Sequence, residues 1–146
     1  MSGQNKNITI KLLTVSEVRF LMSTDKINGD LRPEDLKIGF SNQLEPDVDN
    51  DRISIVFGVR YILEGEIVLE SIYKFSFFVK DLSQYIIFND DNNLTITHIM
   101  PHFLSVAVGT MRGILVVKTA GTDFSKYPLP IIDINKLNIS LSTLKQ

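Results

Sequence analysis

The sequence predicts an α+β domain in which an antiparallel sheet of four strands is followed by one long helix and a short apolar tail. Three observations predict it. Apolar and polar residues alternate in four separate stretches before residue 80, the period of strands that bury one face. Turn signals and polar excursions, among them Asn28-Gly29 and Glu64-Gly65, separate those stretches. From Pro101 the period of two gives way to a run that is apolar on almost every face and stops at Thr119-Ala120-Gly121. Strands collected ahead of a helix, rather than alternating with helices, are the order of an α+β fold.

The elements follow in chain order. Residues 1–7 are polar and expected to be flexible, as are 138–146. Ile8, Ile10 and Leu12 alternate with Thr9 and Lys11, and the pattern resumes at Val18, Phe20 and Met22. The interruption at Thr14 to Ser16 predicts a bulge or bend in one long strand, or a break into two. STDKINGDLRPED reads as a crossover loop, and Leu36, Ile38 and Phe40 as a short second strand. After the polar NQLEPDVDNDR, a third strand places Ile53, Ile55, Phe57, Val59 and Tyr61 on one face. The fourth, Glu66 to Val79, puts Ile67, Leu69, Tyr73, Phe75, Phe77 and Val79 on its core face. At ~3.4 Å per residue it would run ~48 Å, which predicts a bend partway. Residues 80–93 form a connector with an apolar patch at Tyr85 to Phe88. All of this fits a single domain spanning 1–146.

The helix carries more apolar surface than one stripe requires, which predicts cover on two sides, by its own sheet and by another subunit. Phe103, Ala107, Thr110, Ile114 and Val117 share one face, with Leu104, Val108, Met111 and Leu115 beside it. Ser105, Gly109 and Gly113 form a small-residue line at i, i+4 and i+8, the candidate oligomer interface. Two interior glycines cost about 1 kcal/mol each relative to alanine, so a close backbone contact should compensate. The competing reading is close packing on the chain's own sheet. Arg112 interrupts this surface and is expected to reach a carboxylate or the carbonyl end of a helix nearby.

Composition excludes several functions. With a net charge of −2 and no run of basic residues, the chain offers no footprint for nucleic acid or an anionic membrane. Having no cysteine, it has no disulfide or thiol chemistry, in keeping with a reducing, cytoplasmic location. The N-terminus lacks the pattern of a signal peptide. His98, Pro101, His102 and Arg112 within the longest apolar run argue against a membrane span.

No constellation reads as catalytic. His98 and His102 stand at i, i+4, but no third metal ligand is recognisable and Pro101 lies between them. Asp47, Asp49 and Asp51 resemble the start of a calcium loop, yet Arg52 stands where that loop needs glycine and Gly58 where it needs glutamate. No G-x-S-x-G frame and no phosphate-binding glycine loop occur. The expectation is no enzyme, no metal and no cofactor.

From about Ile8 to Leu137 the order of elements resembles the protein-export chaperone family of SecB. The motifs are ISIVFGVRYILEGEIVLESIYKFSFFV, Pro101-His102-Phe103 opening the helix, and Leu129-Pro130-Ile131-Ile132-Asp133 leading into a short lid segment. Arg112-Gly113-Ile114-Leu115 and Lys118-Thr119-Ala120-Gly121-Thr122 look like SecB-like variants outside the export proteins. The resemblance implies dimers or a dimer of dimers that bind unfolded or extended polypeptide in apolar grooves without ATP. The export members are strongly acidic and often end in a cysteine-containing zinc tail that contacts SecA. This chain is near neutral and ends in NISLSTLKQ, which leaves docking on SecA doubtful and suits a dedicated client such as an antitoxin at least as well.

Candidate peptide-binding residues are apolar positions that the core does not obviously claim: Leu36, Ile38, Phe40, Phe78, Ile86, Ile87, Phe88, Leu129 and Ile131. Ordinary core packing is the competing reading of each. Two other functions stay open. One is an interaction protein with a single folded partner; the other is a small-molecule site, for which no convergent polar groups are evident.

Overall fold

The computed structural model describes residues 7–28, 30–89 and 94–144, the side chains of 142–144 excepted. Strands β1 (Ile10–Met22), β2 (Leu36–Asp47), β3 (Arg52–Leu63) and β4 (Glu66–Val79) form an antiparallel sheet in the order β1-β4-β3-β2. The fold class is α+β, as the grouping of the strands predicts. Because β1 and β2 occupy opposite edges, residues 23–35 must cross the sheet. Ile27 anchors that crossing in the core. β3 and β4 are joined by Glu64-Gly65, both at positive φ (52° and 81°), which suits the twist of a two-residue hairpin.

The long first strand is continuous. The pairing advances from Leu12↔Phe77 to Thr14↔Ser76 and from Glu17↔Tyr73 to Arg19↔Ile72. Leu13 and Val18 are therefore extra residues in two bulges, one on each side of the interruption seen in the sequence. A third irregularity pairs Tyr61 with Leu69 and Ile62 with Ile67. It turns Val68 inward and leaves Ile67 half exposed, so the alternation that placed Ile67 in the core ends one residue early.

α1 (Met100–Lys118) lies on one face of the sheet. It buries Met100, Phe103, Leu104, Ala107, Val108, Met111 and Leu115, the i, i+3, i+4 stripe of an amphipathic helix. The Phe103 and Phe77 rings are 4.6 Å apart, and the Ser71 hydroxyl donates to the Met111 sulfur at 3.1 Å. The expected face through Val117 differs here, because Val117 is 75% exposed. Among the described residues the sheet, the segment after α1 and the C-terminal helix cover part of α1, and its Ser105, Gly109 and Gly113 face stays exposed. By length and mean hydropathy α1 could cross a membrane, yet its apolar stripe is seated on β3 and β4 in a common core.

Three elements go beyond the sequence expectation. The first is β2, which continues through Asp47 where a polar excursion was expected, because it pairs with β3 along its whole length. In the connector, β5 (Ile86–Phe88) pairs with β6 (Leu94–Ile96) as a small hairpin. The tail forms α2 (Ile134–Leu144), which continues past Leu137 where flexibility was expected. Leu137 and Leu141, one turn apart, are both buried, and the Asp133 carboxylate accepts the N–H groups of Asn135 and Lys136. Burial of the two leucines keeps this short helix in place.

Candidate functional site

The most exposed apolar element is β1. Residues 11–19 are all exposed, and Leu12, Leu13, Val15, Val18 and Leu21 retain 38–56% of their surface in solvent. Two causes combine. β1 is an edge strand, with β4 on one side and no described strand on the other. Its bulges turn Leu13 and Val18 out of the regular alternation. The result is an open edge with main-chain donors and acceptors along its length and apolar side chains on both faces. Sequence reasoning missed it, because Leu12 and Val18 read as inward positions. The Leu12-Leu13 doublet, which breaks the period of two, was the available signal.

The far end of β1 is tied to α1 by polar contacts. Glu17 Oε1 accepts from Lys118 Nζ and from the Tyr73 hydroxyl, each at 2.9 Å, and Lys118 Nζ stands 5.0 Å from the centre of the Phe20 ring. The bonds from Lys118 and Tyr73 hold the Glu17 carboxyl below its ordinary value. Burial, reinforced by Glu17, pushes the Tyr73 phenol up to about 12.

The outer face of α1 carries Ser105, Gly109 and Gly113, all exposed. A Cβ built on Gly109 or Gly113 would meet nothing within 4 Å. Neither glycine is required by packing on the chain's own sheet. Val116 and Val117 extend this face with exposed apolar surface.

The nine candidate peptide-binding residues do not converge on one groove. Leu36, Ile86 and Leu129 belong to the core, Leu129 because the chain between α1 and α2 folds back over the helix. Ile38 and Phe40 are half-buried on the helix side of β2, where the Phe40 ring stacks on Phe57 at 5.9 Å. Phe78 is half-buried on the opposite face. Ile87 and Phe88 project from the β5–β6 hairpin, 54% and 63% exposed, and Ile131 is 97% exposed in the segment before α2.

That segment is strapped down through its backbone. Arg112 Nε donates to the Leu129 carbonyl at 3.1 Å and Nη2 to the Pro130 carbonyl at 2.7 Å. Tyr61 donates to the Tyr127 carbonyl at 2.7 Å, and the Tyr127 hydroxyl approaches the Leu31 and Asn28 carbonyls at 2.7 and 3.2 Å. Burial pushes the Tyr61 phenol up to about 12. These contacts lock the crossover to the strap and hold Ile131 in place without using its side chain.

The two predicted weak constellations have local roles. Asp51, at φ 54°, accepts the N–H groups of Asp81 and Leu82 and so clips the β2–β3 turn to the end of β4. His98 and His102 are exposed, and no group of three potential metal ligands occurs among the described residues.

In a comparison with solved structures, the chain is similar to Rv1957 of Mycobacterium tuberculosis, a SecB-like chaperone in complex with a ChAD peptide from the Rv1956 HigA1 antitoxin. The identity is 10%, the match covers 85% of this chain and 91% of that chain, and the TM-score is 0.46. No family model and no curated protein matches the sequence.

Proposed function

We propose that this chain is an ATP-independent holdase that assembles from identical subunits and binds unfolded or extended polypeptide on apolar surface. The observation that supports the reading is the open edge of β1. A long, apolar edge strand is an aggregation hazard in a lone subunit, and natural proteins cover such edges. A second copy adding its own β1 covers it, and the vacant small-residue line on α1 offers a further contact for a dimer of dimers. Both surfaces then serve assembly, which leaves Ile87, Phe88 and Ile131 for the client, with Ile38, Phe40 and Phe78 available in part.

The energetics suit this division. A buried apolar side chain contributes about 1.5–3 kcal/mol, whereas association costs about 4–15 kcal/mol. Few exposed residues per subunit cannot hold a client alone, and an oligomer multiplies the contacts along one extended chain. The polypeptide need have no fixed sequence, since apolar contacts are not directional.

The test is light scattering of the purified protein with an unfolded reporter that aggregates on dilution, without nucleotide. The reading expects an oligomer that keeps the reporter soluble, and Ile87→Ser/Phe88→Ser to lose most of that capacity at unchanged mass. A monomer, or an oligomer that lets the reporter aggregate, overturns it. The alternative, a dedicated interaction protein with one folded partner, predicts no effect on the reporter.

A further inference from the structure

We propose that Asn42 is the main-chain anchor of the client surface: its side-chain amide pairs with a peptide group of an extended polypeptide laid along the helix side of β2. This rests on the holdase reading and names what its client surface recognises. Asn42 stands directly opposite the fully buried Phe57, so it points to the core side of the sheet. Its neighbours on that side of the strand are Leu36, Ile38, Phe40 and Leu44, opposite Leu63, Tyr61, Val59 and Ile55. The period of two calls for an apolar residue at this position, and a side-chain amide stands there instead.

Folding leaves that amide unused. Among the described residues no group bonds to it, and its Oδ1 is shielded from solvent. A buried carbonyl oxygen without a donor opposes folding, and a leucine in its place would not. The sheet satisfies its side-chain hydroxyls elsewhere, as where Ser54 and Ser76 bond each other at 2.8 Å. Rotation about Cβ–Cγ, a broad torsion in asparagine, turns either the carbonyl or the NH2 group outward.

The chemistry of the row points to polypeptide. A carboxamide carries both acceptor and donors, the complement of a peptide group with its N–H and C=O. β2 is an edge strand with no described strand beyond it, and Ile38, Phe40, Asn42 and Leu44 are all half-buried, so the row keeps a side in solvent. α2, which packs against both β2 and α1, lies on the same face. Alternate residues of a strand stand about 6.8 Å apart, and the side chains of an extended ligand repeat at the same distance. Ile38 and Phe40 to one side of Asn42, and Leu44 to the other, receive apolar side chains while the amide bonds the ligand's backbone. Recognition of backbone is independent of sequence, as the binding of varied unfolded chains requires. No charged side chain lies in the row, so neither a nucleic acid nor an ionic ligand is matched.

The experiment measures fluorescence anisotropy of a labelled peptide of alternating leucine and threonine with lysine at both ends. Beside it stands a set in which one central peptide nitrogen at a time is methylated, which removes the N–H and keeps the side chains. The parent protein should lose at least about five-fold affinity at one or more positions of the set. Asn42→Leu should bind the unmethylated peptide at least about five-fold more weakly than the parent and no longer respond to methylation at those positions. Its melting temperature should rise, because an unpartnered polar group is gone. Equal responses to methylation in parent and variant overturn the proposal. So does a lower melting temperature in Asn42→Leu, which would assign the amide to a bound water within the fold. A parent protein that holds the unfolded reporter soluble yet ignores methylation overturns this inference alone. One that neither holds the reporter nor binds any peptide of the set overturns the holdase reading with it.

Discussion

At the scale of single residues, the contacts that position the candidate surfaces are side chains bonded to backbone. Arg112 holds the strap through two carbonyls of an irregular segment, where the sequence reading expected a carboxylate or the carbonyl end of a helix. Arg112→Met should cost about 1–2 kcal/mol, because charge-assisted hydrogen bonds are worth about 1.5–3 kcal/mol and one of these is open to solvent. The matching readout is hydrogen exchange, which should quicken between Thr122 and Leu137 and not in β3. Tyr61 and Tyr73 make a pH prediction. Their phenols ionise near 12 in the folded chain against 10 for a free phenol, so the unfolded chain loses protons first as pH rises. Their contribution is complete below pH 10 and is lost between 10 and about 12. Melting across that window should fall steeply, and Tyr73→Phe should flatten the fall; an unchanged slope would refute the shift at Tyr73.

At the scale of elements, α1 buries one stripe in the core and leaves another exposed, whereas β1 leaves its apolar side chains in solvent. Gly109 and Gly113 sit on the open side of α1 with space for a Cβ. In an isolated subunit, alanine at either should stabilise by up to about 1 kcal/mol. In the proposed assembly a bulky residue there meets another backbone, so Gly109→Leu should lower the mass read by ultracentrifugation while leaving helix content intact. An unchanged mass would remove the α1 contact from the assembly. Val18→Lys places a charge on the exposed bulge of β1 and should loosen strand addition, with no loss of core stability. α2 was legible only as a short lid segment. Its helix depends on Leu137 and Leu141 finding the core, and Leu141→Ala should cost about 2–5 kcal/mol.

At the scale of the whole molecule, the proposed assembly would be linked to stability. A subunit whose apolar edge is covered by a copy is stabilised by mass action, so the melting temperature should rise with protein concentration. A concentration-independent melting temperature together with a monomer mass would argue against any assembly. α1 and the core lie on one face of the sheet, and Arg19, Arg60 and Lys74 lie on the other.

The α+β class, the four strands, the long helix and the tight Glu64-Gly65 turn were determined by the sequence alone. Periodicity, turn residues and apolar runs are local properties, carried by neighbours within a few positions. What only the tertiary structure decided was every question of which strand lies beside which. Leu36, Ile86 and Leu129 looked as free as Ile87 or Ile131 until packing buried them. Leu12 and Val18 looked like core until edge placement and bulges exposed them. Arg19, Arg60 and Lys74, scattered in the sequence, share one face because antiparallel register sets residues tens of positions apart side by side. Strand order and bulges depend on long-range pairing, which no local pattern encodes, and the candidate surfaces are set by them.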